Sequence, residues 1–131
     1  MPFWAKDVSI GNKMINGRSE TGLQKPAFRY CFARRRFRVP ADSFYEWKKV
    51  GRLKQPFHFG MKDNSLFAFA GLWVRWRSPH GSIAESCTIL TTTPNQLLTD
   101  VHDRMPAFFA ATTTKPRLPL HRKKGGDYRS C

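Results

Sequence analysis

At 131 residues, 40% of them hydrophobic and 14% aromatic, the chain is long enough for one folded domain with a real core and too apolar for a disordered chain. A formal net charge of +14, from 23 Lys and Arg against 9 Asp and Glu, points to a polyanionic partner. There is no apolar run of the roughly 18 residues that a membrane-spanning helix needs, no signal-peptide pattern behind Met1, and no cysteine spacing suited to a disulfide framework or a zinc site. Cys31, Cys87 and Cys131 read as free thiols, and the setting as cytosolic or nuclear.

In chain order, "KPAFRYCFARRRFRVP" sets Phe28 and Phe32 at a helical interval and closes on Pro40, which predicts a short helix around 26 to 36 and extended chain after it. "SFYEWKK", "QPFHFGM" and "LFAFAGLWVRW" alternate in the manner of strands, and "KVGRLKQ" and "MKDNS" supply the turns between them. "SCTILTTT" reads as a further strand. "TPNQLLTDVH" predicts a two-turn helix with Thr93 as N-cap and Pro94 at its first position. "MPAFF" resumes extended structure, with Pro106 at a strand edge or start. Residues 112–131 carry prolines, a glycine pair and clustered charge without apolar periodicity, so they are expected to form a disordered basic tail.

The charge is unevenly placed. Residues 18–54 hold 11 basic and 3 acidic side chains and residues 112–131 hold 6 and 1, whereas residues 55–111 hold 4 of each. Two basic blocks beside Trp4, Trp47, Trp73, Trp76 and eleven Phe suit a single-stranded nucleic acid, whose phosphates and bases need cations and ring faces. A solvated basic face is the plainer alternative.

Glu46 stands between Tyr45 and Trp47, so in an alternating strand it faces away from both. Turned inward, it would be a carboxyl with a raised pKa, able to move a proton near neutral pH. Alternation alone favours the opposite arrangement, with the aromatics in the core and the glutamate in solvent. His102, Asp103 and Arg104 follow one another just ahead of an apolar strand, and "MINGRSE" brings Asn16, Arg18 and Glu20 close together. None of these is diagnostic by itself. The nucleotide-binding glycine loops, the H-E-x-x-H zinc motif and the G-x-S-x-G elbow are all absent from the sequence.

Taken together, "NGRSE", "KPAFR", "RRRFRVPADSFYEWKK", "FAFAGLWVRW", "ESCTILTTTPNQLL" and "VHDRMPAFF" resemble, in order and spacing, the SRAP (SOS response-associated peptidase) family of abasic-site processing proteins, from about residue 2 to 111. The resemblance implies a single α+β domain with a curved, barrel-like antiparallel sheet and short helices. It also implies a monomer that binds single-stranded DNA containing abasic sites in the DNA damage (SOS) response, with no membrane, metal or cofactor. The location would be cytoplasmic and nucleoid-associated in a bacterium, nuclear in a eukaryote. In the family an N-terminal cysteine traps the ring-opened sugar aldehyde as a thiazolidine, and the same centre processes its own N-terminus, a peptidase-type hydrolysis beside lyase-like DNA chemistry. Carried over by motif, Asn16 orients the sugar and amine, Glu46 shuttles protons, and His102 hydrogen-bonds near the sugar. Trp4, Arg18, Arg34, Arg35, Arg36 and Arg104 would contact DNA, while Asp103 either orients Arg104 or caps local backbone.

The family's Cys-Gly-Arg start has no match in "MPFWAKD", and Cys31 and Cys87 are expected to be buried core thiols, so no nucleophile is assigned. The sequence therefore reads as a partial SRAP domain over 1–111, truncated in front, followed by a divergent tail over 112–131. Two other readings stay open: a catalytically inactive single-stranded DNA-binding remnant and a basic RNA-binding protein.

Overall fold

In the computed structural model, which describes residues 5–78, 80–110 and 120–124, strand alternation sets most of the architecture. A 3₁₀ turn over Val8–Met14, capped by Asp7 accepting the Ser9 N–H at 2.7 Å, leads into β1 (Asn16–Arg18). Helix α1 (Pro26–Arg34) opens on a proline already fixed near helical φ, and it buries Phe28 and Cys31. It stops short of the expected residue 36 because Arg36-Phe37-Arg38-Val39 has a two-residue period. That period is satisfied in β2 (Arg36–Ala41), paired along its length with β5 (Phe67–Arg77).

A bend at Asp42 carries the chain into β3 (Ser43–Val50), which forms a hairpin with β4 (Leu53–Met61). Its turn places Gly51 at φ 61°, a left-handed conformation that costs glycine least. Then come β5, β6 (Ile83–Thr92), β7 (Met105–Pro106), β8 (Phe108–Ala110) and β9 (Leu120–Lys124). The larger sheet runs β1-β6-β5-β2, with β7 added to β6 and β8 to β5; the smaller runs β3-β4-β9. The result is an α+β domain on a curled, half-barrel sheet, as expected, with one departure from antiparallel order: β1 lies parallel to β6.

Among the described residues, three apolar clusters hold it. Phe57, Phe59 and Met61 of β4 meet Phe67, Leu98, Val101 and Met105, with Phe44 stacked on Phe59 at 5.3 Å between ring centroids. Phe59 has no solvent exposure. Helix α1 packs Phe28 and Cys31 on Leu72 and Leu90. Trp76 joins Ala5 and donates its indole N–H to the Ala5 carbonyl at 2.9 Å.

Four expectations change. Residues 96–101 form hydrogen-bonded turns rather than a two-turn helix, because the Asn95 carboxamide, not Thr93, accepts the Leu97 and Leu98 N–H groups, each at 3.1 Å. Cys87 is exposed, since it faces Trp73 across the sheet on the side away from α1; Cys31 is buried, and both are free thiols. Leu120–Lys124, inside the expected disordered tail, adds as strand β9 to the edge of β4. That pairing uses backbone groups and needs no apolar period. Tyr45 and Trp47 do not fill the core: Phe44 and Glu46 oppose Phe59 and Phe57 on the inner face of β3, and Tyr45 and Trp47 point outward, 42% and 50% exposed. Trp4, Cys131 and the rest of the tail lie outside the described residues.

Candidate active site

Four chain segments converge on one cleft of about 310 Å³, lined by Asn16, Arg18, Glu46, Thr91, His102 and Arg104. Each arrives for a local reason. Asn16 and Arg18 flank Gly17 on β1, so alternation turns both side chains to the cleft while Gly17 faces inward and is buried. A Cβ at Gly17 would sit 3.1 Å from Thr88 Cγ2, and the absence of one lets β1 lie flush on β6. Glu46 comes from the inner face of β3, beside Phe57. Its burial pushes its carboxyl pKa up, which nearby His102 and a backbone hydrogen bond from Trp47 partly offset and Asp103 reinforces.

The turns after Asn95 deliver His102, whose own N–H is held by the Leu98 carbonyl at 3.0 Å. His102 Nδ1 is held within its own loop, with the Arg104 N–H at 3.0 Å and the Arg104 carbonyl and Asp103 Oδ1 each at 3.1 Å. Arg104 itself is tied down. Its Nη1 and Nη2 donate to the two oxygens of Glu20 at 3.1 and 2.8 Å, and Nη2 also donates to the Thr91 carbonyl at 2.6 Å. This fork holds the Glu20 carboxyl far below its usual range, at about 2. Arg104 is only 18% exposed.

Asn16, Arg18, Glu46, His102 and Arg104 are therefore neighbours. The arginines at 34, 35 and 36 are not among them. They sit where α1 passes into β2, the edge strand opposite β1, and Arg35 lies 4.7 Å from the Trp73 ring centroid and 5.2 Å from that of Tyr30. Sequence reasoning missed Thr91 as a lining residue, because a threonine run in a strand carries no chemical signal. It grouped Glu20 only with Asn16 and Arg18, since its partner Arg104 is 84 residues away. Among the described residues no three His, Cys, Asp or Glu side chains gather as a metal site, and no helix is long and apolar enough to cross a membrane.

The chain matches the family described as SOS response associated peptidase (SRAP) over residues 1–126, beyond the limit of 111 read from motifs. It is 48% identical over 119 residues to the abasic site processing protein YoqW of Bacillus subtilis strain 168, covering 90% of this chain and 53% of that one. It is 35% identical to the abasic site processing protein YedK of Escherichia coli K12, over 79% of this chain and 47% of that one. The chain thus spans about half the length of these relatives. A crystal structure of a protein from Bacteroides thetaiotaomicron superposes with a TM-score of 0.82 at 25% identity, covering 94% of this chain and 65% of its own. One from Bordetella bronchiseptica gives 0.71 at 27%, covering 83% and 64%. A family match across nearly the whole chain, a relative 48% identical over 119 residues and the same curled sheet make this chain a member of the SRAP family.

Proposed function

We propose that the cleft binds the abasic sugar of single-stranded DNA and carries the proton transfers of abasic-site processing. The observation that supports this reading is the meeting of a partly buried carboxyl, an imidazole and an amide with two guanidinium groups in one cleft of sugar-phosphate size. Glu46 takes the proton of the sugar's C1′ hydroxyl and returns one to the ring oxygen, opening the hemiacetal to an aldehyde. A carboxyl whose pKa burial has raised holds that proton closer to neutral pH than an exposed one. His102 hydrogen-bonds the sugar or its phosphate, Asn16 orients the sugar, and Arg18 meets the 5′ or 3′ phosphate.

Capture of the aldehyde as a thiazolidine needs an amine and a thiol on adjacent carbons, which a cysteine at an N-terminus provides. A polypeptide of these 131 residues opens on Met1-Pro2, so it is expected to bind abasic DNA without a heat-stable adduct. A version extended by a cysteine-led segment is expected to form one. The test is a denaturing gel of both proteins mixed with abasic single-stranded DNA, with Glu46→Gln and His102→Ala in the extended background. Adducts that form equally well in those two variants would remove Glu46 and His102 from the mechanism. Equal affinity of the protein for abasic and intact strands would favour a general nucleic-acid binder instead.

A further inference from the structure

Glu20 accepts more hydrogen bonds than any other carboxylate around the cleft, and it belongs to none of the roles given above. Its Oε1 receives Arg104 Nη1 at 3.1 Å, Thr92 Oγ1 at 3.2 Å and the Thr93 N–H at 3.2 Å, while Oε2 receives Arg104 Nη2 at 2.8 Å. One carboxylate thus joins the chain just beyond β1, the end of β6 and the loop carrying His102. The guanidinium it grips also donates to the Thr91 carbonyl, and its Nε is buried without a hydrogen-bond partner among the described residues. Arg104 therefore meets the cleft as a clamped, oriented set of donors whose charge Glu20 cancels.

We propose that Glu20 is the positioning residue that fixes Arg104 in the cleft, and that it sets preference for the abasic site rather than affinity for DNA. The second half rests on the cleft's assignment to an abasic sugar; the first half does not. Electrostatics and positioning predict opposite signs for Glu20→Gln. Removing a negative charge beside a polyanion site tightens binding to any strand. Releasing the clamp frees the guanidinium to swing and costs only the interactions that need its fixed direction.

Two measurements on the 131-residue protein decide it. The first is the affinity for an oligonucleotide carrying one tetrahydrofuran abasic analogue against the same intact strand. For Glu20→Gln the preference is expected to fall about tenfold, the equivalent of roughly 1.4 kcal/mol, with binding to the intact strand unchanged or tighter. The second is the nitrogen NMR of the arginine side chains, in which a forked guanidinium turns slowly about its Nε–Cζ bond and shows separate Nη resonances. Arg104 is expected to show them in the wild type and lose them in Glu20→Gln. Arg104→Lys, which keeps the charge but cannot fork, is expected to lose the preference too and serves if Glu20→Gln does not fold.

An unchanged preference in both variants would overturn the proposal, as would a parallel loss for both strands, which marks a merely structural ion pair. Averaged Arg104 resonances in the wild type would also overturn it. If the wild type itself shows no abasic preference, the functional reading fails and with it the role in preference. The NMR experiment then still decides whether Glu20 fixes Arg104.

Discussion

Arginine is used in two ways in this molecule. In the cleft, Arg104 is mostly buried and clamped by Glu20 and the Thr91 carbonyl. Along β2, on the opposite edge of the same sheet, Arg36 and Arg38 are exposed, Arg38 lies 5.4 Å from the Phe109 ring centroid, and Arg35 lies over Tyr30 and Trp73. The first arrangement spends charge to gain direction. The second keeps its charge and forgoes direction, which suits attraction of a polyanion at long range, and edge arginines also discourage pairing with another sheet.

The largest expected difference comes from Arg104→Ala against Arg36→Ala. Losing hydrogen bonds from a desolvated guanidinium is worth about 10- to 100-fold for an abasic strand, whereas Arg36→Ala is expected to weaken abasic and intact strands alike and by less. Fluorescence anisotropy with both oligonucleotides checks this, and equal losses in the two variants would erase the distinction. Next is salt. Each phosphate contact removed from the β2 edge, by Arg36→Ala or Arg38→Ala, is expected to flatten the plot of log affinity against log salt by about 0.7. An unaltered slope would leave β2 with edge protection alone.

A smaller, pH-resolved contrast separates the two glutamates of the cleft. The carboxyl of Glu20 is lowered from 4.5 to about 2 by the Arg104 fork, so its stabilisation is present above 4.5 and lost as pH falls through that interval. Thermal unfolding of Glu20→Gln should therefore converge on the wild type as pH drops below 4.5. Glu46 has the opposite sign. Burial raises its pKa, so the folded state binds its proton more tightly, and the cost of ionising it grows as pH rises past 4.5. Glu46→Gln should gain stability relative to the wild type as pH rises past 4.5. The smallest effect is expected for Trp73→Ala, where an exposed cation–π contact of about 0.5–1 kcal/mol is lost, read as a slight drop in melting temperature with abasic preference intact.

Much of this was legible in the residues. The alternation of "SFYEWKK", "PFHFGM" and "LFAFAGLWVRW" marks three strands, and Gly51 in "KVGRLKQ" marks the hairpin turn between the first two. What alternation cannot say is which face goes inside, because the period is the same for both and a slip of one residue exchanges them. At β3 the answer depended on Phe59 of the next strand, whose ring takes Phe44 as partner and so draws Glu46 inward with it, opposite Phe57. The turns at 96–101 turned on one carboxamide, Asn95, competing for the N–H groups a helix would need. The motifs named Asn16, Glu46 and His102, but the Glu20–Arg104 clamp joins residues too distant for any local pattern to connect.

That distance has a kinetic meaning. The β3–β4 hairpin closes through a turn between Val50 and Leu53, whereas the cleft requires β1 to dock beside β6 and Glu20 to find Arg104, 84 residues further on. Closing a loop of that length costs more entropy than closing a hairpin, and the short β1 has few contacts of its own with which to offset it. The cleft should therefore be the last part of the molecule to assemble. In pulsed hydrogen exchange during refolding, the amides of β3 and β4 are expected to be protected before the Ser19 N–H, which reports on β1 through its 2.9 Å bond to the Thr91 carbonyl. Simultaneous protection would show instead that the sheet closes in one step, with the cleft already formed at the moment of folding.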